Sequence, residues 1–183
     1  MVRTRINREA GRVLLFDQSG RILLVLGQDP AQPELGTWWF TPGGGLEPHE
    51  SHREGAQREL LEETGIAANL SPVPVFERTI EFPFDGGLYR QHEFFFAALA
   101  QSTEVRPMHL TELELRAVLD TQWWSFEDLQ RTQEVVHPTM LQDVSWLSDV
   151  RDLLLGKELA HPDAWKVVQR FATLEPENPH LPQ

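Results

Sequence analysis

The sequence predicts one α/β domain with a helical extension behind it. Strand-length apolar runs stand on both sides of one strongly signalled helix at 51–64, and an amphipathic stripe at 139–156 recurs with helical period. A length of 183 residues suits one domain with an appended subdomain, enough to bury a core without staples.

The elements follow in chain order. Residues 12–17 and 21–27 are apolar-rich runs separated by Gln18-Ser19-Gly20, which predicts a hairpin. Residues 29–36 hold two prolines and a glycine and read as a loop. TWWFT at 37–41 is a short aromatic strand, broken by Pro42-Gly43-Gly44-Gly45; Trp38 and Trp39 alternate, so one faces inward and the other outward. The helix that follows has Ser51 and Glu54 as a capping box and Gly65 as its stop, with Ala56, Leu60 and Leu61 as its buried stripe. Residues 73–82 and 91–100 are two strands joined across Asp85-Gly86-Gly87. The run FFFAALA at 94–100 lacks alternation, which predicts a strand buried on both faces. Residues 110–119 read as a short helix or an irregular segment, 122–126 as a strand and 127–131 as a helical turn.

In the C-terminal part, Met140, Leu141, Val144, Leu147, Val150, Leu153 and Leu154 mark an amphipathic helix, and a second short helix is expected at 163–173. The ending EPENPHLPQ has three prolines and no apolar period, which predicts disorder. The expected division is a domain over 1–134, a helical extension packed on it over 135–173, and a tail over 174–183.

Composition narrows the function. The net charge of −12 argues against stable nucleic-acid binding, which needs a basic footprint. An acidic protein acting on an anionic substrate needs local cations, arginine or metal. With no cysteine there are no disulfides, thiolate metal sites or cysteine nucleophiles. FFFAALA is the longest apolar run, too short for a membrane span, and no apolar stretch follows the basic start before Glu9, so a cytoplasmic protein is expected.

One segment carries chemistry. Between Gly43 and Ile66 the chain reads GGGLEPHESHREGAQRELLEETGI, with six glutamates. Glu59, Glu62 and Glu63 stand at i, i+3, i+4 and share a helix face, where like charges destabilise a helix by about 0.2–0.5 kcal/mol per pair. An acidic helix face is ordinarily just solvated. Here it follows a glycine turn, where bare backbone can approach a metal or phosphate, and Arg58 stands at i, i+4 to Glu62 to orient it. Hard divalent cations take such carboxylates together with substrate phosphates.

The segment resembles the Nudix box: G, five residues, E, seven residues, R-E-U-x-E-E-x-G-U, with U apolar. Gly44, Glu50, Arg58, Glu59, Glu62, Glu63 and Gly65 supply the seven fixed identities, and Leu60 and Ile66 the apolar positions. The departure is His49, where many members carry glycine. The resemblance spans roughly residues 8–130.

It implies an α/β/α sandwich with a mixed β-sheet, and Mg²⁺ or Mn²⁺ held by Glu59, Glu62, Glu63 and the Gly44 carbonyl. Arg58 would orient a glutamate, and Glu50 would tie loop to helix. A further glutamate from outside the box, as ligand or base, is sought at Glu112 or Glu114, with Glu114 preferred. The implied activity is metal-dependent hydrolysis of a nucleoside diphosphate linked to another moiety. Arg78, Arg90 and Arg12 are candidates for its phosphates. Trp38, or another of Trp39, Phe82, Phe84 and Tyr89, is the candidate for its base. Pro83 lies where some ADP-ribose-hydrolysing members place a proline, and the companion motif of coenzyme A-specific members is not apparent. Two rival functions exist on the same fold. A non-catalytic nucleotide-sensing module usually loses box glutamates, all present here. An isopentenyl diphosphate isomerase relies on a cysteine. Many relatives are dimers, so the stripe at 139–156 packs either on its own domain or against a second copy.

Overall fold

The computed structural model describes residues 5–156, 165–166 and 168–172. The expected tail at 174–183 lies outside them. Among the described residues the strands are β1 (Arg5–Phe16), β2 (Ile22–Gln28), β3 (Thr37–Phe40), β4 (Gly43–Gly45), β5 (Phe76–Phe84), β6 (Gly87–Leu99), β7 (Val118–Trp124), β8 (Val136–His137) and β9 (Arg170–Ala172). The helices are α1 (His52–Thr64), α2 (Glu112–Ala117), α3 (Phe126–Arg131) and α4 (Val144–Leu155).

One mixed sheet runs β8-β3-β2-β1-β6-β5-β9, with β4 added to β1 and β7 to β2. Its spine is the parallel pair β1/β6, in register from Arg5↔Leu88 to Phe16↔Leu99. Both faces of this spine are covered, which makes the fold a three-layer α/β/α arrangement. Val13, Leu15, Leu23, Phe96 and Ala98 pack against Ala56 and Leu60 of α1. Leu14, Phe16, Phe76, Phe95 and Ala97 pack against Trp146, Leu147, Val150 and Leu154 of α4. Phe95, Phe96, Ala97 and Ala98 are all buried, so the unbroken apolar run of β6 reflects burial on two sides.

α1 keeps both expected caps. The Ser51 hydroxyl accepts from the Glu54 amide, and the Glu54 carboxylate accepts from the Ser51 amide. Gly65 closes the helix at φ 71°, a left-handed conformation that favours glycine.

Several expectations are corrected. Residues 12–27 make the expected antiparallel strand, turn and strand, closed by the Asp17 amide on the Arg21 carbonyl, but the ladder is cut short at Phe16↔Ile22. β6 takes one edge of β1, and β4 takes the other at Ala10–Arg12. The glycines at 43–45 are therefore strand rather than loop. Leu61 is exposed, because one residue on from Leu60 turns about 100° around a helix. The strand expected at 122–126 begins at Val118, directly after α2. In the extension, β8 adds to β3 and Arg170–Ala172 is strand rather than helix, the Arg170 amide donating to the Val75 carbonyl at β5's open edge. The stripe of α4 is covered by the chain's own sheet, and Trp146 Nε1 donates to the Val168 carbonyl at 2.7 Å.

Candidate active site

After Phe16↔Ile22, β1 and β2 part and take different neighbours. A cavity of about 350 Å³ opens there, lined among others by Arg8 and Arg12 of β1, Trp38 of β3, Gly43–Gly45 of β4 and Arg78 of β5. Glu59 and Glu63, one helical turn apart on α1, line it, and so does Glu114 of α2. One carboxylate oxygen from each of these three glutamates lies within 4.8 Å of the others.

The positions are held by backbone. The Gly43 amide donates to Glu63 Oε2 at 2.8 Å. Gly44 leaves room for its neighbour: a Cβ there would lie 2.8 Å from both carboxylate oxygens of Glu59. Glu114 is the capping-box glutamate of α2, accepting from the Thr111 amide at 2.7 Å and hydroxyl at 2.8 Å. Glu112, the other candidate, is not in the trio and does not line the cavity.

Arg58 fastens the loop to the helix. It donates through Nε and Nη2 to the two oxygens of Glu50, both at 2.9 Å, and through Nη2 to the Gly45 carbonyl at 3.0 Å. Its Nη1 reaches Glu59 at 2.8 Å and Glu62 at 3.1 Å. Hydrogen bonding to Glu50 raises the Arg58 pKa, and the same contact lowers that of Glu50. Glu50 thus lies within the loop-helix tie, away from the trio. Glu62 also lies outside the trio, on Arg58 and only partly buried. His49 has φ 72°, so the turn keeps the left-handed conformation that glycine would favour.

The trio is electrostatically frustrated. Burial pushes the Glu63 carboxyl up to about 8, against the Gly43 amide and Arg12, with Glu59 and Glu114 adding to the rise. Burial likewise raises Glu59, despite Arg58, and Glu114 and Glu62 push the same way. Three converging carboxylates of which two are buried, bordered by a side-chain-free glycine and open to a cavity, fit a hard divalent cation: all donors are oxygen, and a cation would relieve the repulsion.

Beside the trio the cavity is built around another buried acid. Glu93 accepts from Arg12 Nε at 2.8 Å, from Arg78 Nε at 2.5 Å and from Gln91 Nε2 at 2.6 Å. Burial alone would raise its pKa; Arg78 and Arg12 outweigh that and hold it at about 2. Arg12 also donates to the Gly43 carbonyl at 2.7 Å, so this buried cluster braces the strand that holds Glu63. Arg78 lines the cavity as part of it. Arg90 does not line it. It is one residue off the Gln91–Glu93 face of β6 and lies beside Glu81, largely exposed. Trp38 lines the cavity, while Trp39 is buried against Trp124 with ring centroids 5.1 Å apart. Phe82 and Phe84 extend the apolar lining, and Tyr89 stacks on Phe82 at 5.7 Å. The roles of Glu93 and Arg8 escaped sequence reading; the spacing Gln91-x-Glu93-x-Phe95, polar groups on alternate positions of an apolar strand, was the available signal.

Comparison with known proteins agrees with this geometry. The family model described as NUDIX domain matches residues 7–144. An RNA pyrophosphohydrolase of Erythrobacter litoralis (strain HTCC2594) is 34% identical over 107 residues, 53% of this chain and 63% of that protein. A putative 8-oxo-dGTP diphosphatase of Bacillus subtilis (strain 168) is 42% identical over 67 residues, 36% of this chain and 41% of that protein. The chain thus spans less than two thirds of the length of these relatives. The MutT protein of Methanosarcina mazei Go1 shares the fold, with a TM-score of 0.57 and 18% identity over 83% of this chain and 96% of that one. Among the described residues no helix is long and apolar enough to cross a membrane. The box at 44–66, the α/β/α fold around it and the family match over residues 7–144 coincide: the chain belongs to the Nudix family.

Proposed function

We propose that the chain is a divalent-metal-dependent pyrophosphohydrolase that cleaves a phosphoric anhydride bond in a nucleotide-type small molecule. The observation that carries this reading is the carboxylate trio Glu59, Glu63 and Glu114 in a cavity that arginines also line. Both relatives are named for cleavage of a diphosphate linkage, and the net charge of −12 favours a free nucleotide over a long RNA.

Glu59, Glu63 and Glu114 would hold Mg²⁺ or Mn²⁺, with Glu62 and the Gly44 carbonyl as further ligands. The chemistry such an ion supplies is neutralisation of phosphate charge and a lowered pKa for a bound water. Arg58 keeps Glu59 and Glu62 aimed, and Gly43 holds Glu63. A glutamate of this set would accept the proton of the attacking water. Trp38 offers an apolar face for the base.

The test is product release from nucleoside triphosphates, oxidised nucleotides, ADP-ribose, dinucleoside polyphosphates and nucleotide sugars with Mg²⁺ or Mn²⁺, beside Glu63→Gln. Metal-dependent cleavage of one class, lost in the variant, supports the reading. Tight binding without cleavage of any would replace it with a nucleotide sensor.

A further inference from the structure

Three arginines, Arg8, Arg12 and Arg78, line the cavity. Arg12 and Arg78 both donate to the buried Glu93. Arg8 is bound differently. Its Nε donates to the Gln91 side-chain oxygen, a neutral acceptor, and Gln91 passes its own amide on to Glu93. Its guanidinium lies over the Tyr89 ring, 4.8 Å from the centroid. Among the described residues neither Nη of Arg8 donates to a protein acceptor, and no carboxylate forms an ion pair with it. Gly45, on the neighbouring strand, presents no side chain to it: a Cβ there would stand 3.6 Å from Nη1.

A partly buried guanidinium with no carboxylate in contact keeps donors free for an anion. Burial, and then the neighbouring Arg12 charge, lower the Arg8 pKa and outweigh the opposing pull of Tyr89, Glu93 and Glu59. Its orientation is nevertheless fixed on two sides, by Gln91 and by Tyr89, which leaves a planar pair of donors suited to two oxygens of one phosphate.

We propose that Arg8 receives a phosphate of the substrate, so that the diphosphate lies between Arg8 and the carboxylate trio. This rests on the diphosphate reading above. The charged groups then have separate roles. Glu59, Glu63 and Glu114 hold the ion, Glu93 with Arg12 and Arg78 holds the frame, and Arg8 binds the anion.

The experiment compares wild type, Arg8→Gln and Arg8→Lys. Binding of inorganic pyrophosphate in Mg²⁺ is measured by calorimetry, and KM and kcat on whichever compound is cleaved. Mn²⁺ affinity without substrate is read by electron paramagnetic resonance. Loss of one charge-assisted hydrogen-bonding group predicts pyrophosphate affinity weaker by about tenfold to a hundredfold in Arg8→Gln. KM should rise in proportion, while Mn²⁺ affinity and the melting temperature stay as in wild type. Arg8→Lys should recover only part, since a point charge cannot reproduce the planar pair. Wild-type pyrophosphate affinity in Arg8→Gln overturns the proposal, as does a wild type that binds no pyrophosphate. If no compound is cleaved, the hydrolase reading fails, yet the binding comparison still decides the role of Arg8.

Discussion

Replacing Gly44 by alanine separates the site from the fold. The added Cβ would lie 2.7 Å from Cδ of Glu59 and 2.8 Å from both its oxygens. Reaching ordinary contact at 3.4 Å requires a displacement of about 0.7 Å. The yielding group is the end of a flexible side chain, so the backbone need not move. Losing the glycine also lowers the entropy of the unfolded chain, worth about 0.4–1 kcal/mol in favour of folding. The melting temperature should therefore stay within about 3 °C of wild type. Metal ligation tolerates about 0.2 Å, and a misplacement near 1 Å can reduce turnover about a hundredfold. Activity should fall by about tenfold to a hundredfold, with weaker Mn²⁺ binding by electron paramagnetic resonance. Gly11→Ala is the opposite case. Its Cβ would meet backbone, the His52 carbonyl at 2.3 Å and the Ala56 nitrogen at 2.7 Å, so α1 must lift off β1. That variant should lose about 1–3 kcal/mol, as overpacked cores do, or fail to fold. A large drop in melting temperature for Gly44→Ala, or unaltered Mn²⁺ affinity and turnover, would refute the reasoning.

Arg58→Lys keeps the charge but cannot make the paired contact to Glu50 while reaching Glu59, Glu62 and the Gly45 carbonyl; turnover should fall at least tenfold, and wild-type kinetics would count against Arg58 as the clamp. The Glu93 carboxyl is held near 2, below its ordinary 4.5, so its contribution to stability is present above about 4.5 and is lost as pH falls from there towards 2. Glu93→Gln should flatten that acid limb in urea unfolding measured from pH 2 to 6, and an unchanged slope would deny the coupling. Ser51→Ala removes the hydroxyl half of α1's capping box and should lower stability by about 0.5–2 kcal/mol in chemical denaturation, with no change if the cap is dispensable.

The sequence by itself determined what is local. The capping box, the glycine stop and the i, i+3, i+4 glutamates depend on neighbours within a helical turn or two, so α1 and the family were legible from residues 44–66 alone. Burial of β6 on both faces was legible too, because an unbroken apolar run has no polar side to offer water. What joins distant segments was decided by the tertiary structure. β1 spends its length beside β6, some 80 positions away in sequence, and no local pattern names that partner. That pairing brings Glu93 between Arg12 and Arg78, aligns Arg8 with Gln91 and Tyr89, and turns Arg90 outward. The trio itself mixes both kinds of information. Glu59 and Glu63 follow from helical spacing, but Glu114 joins them in place of Glu62 because α2 lines the same cavity, beside β2, where Gln28 donates to the Arg116 carbonyl.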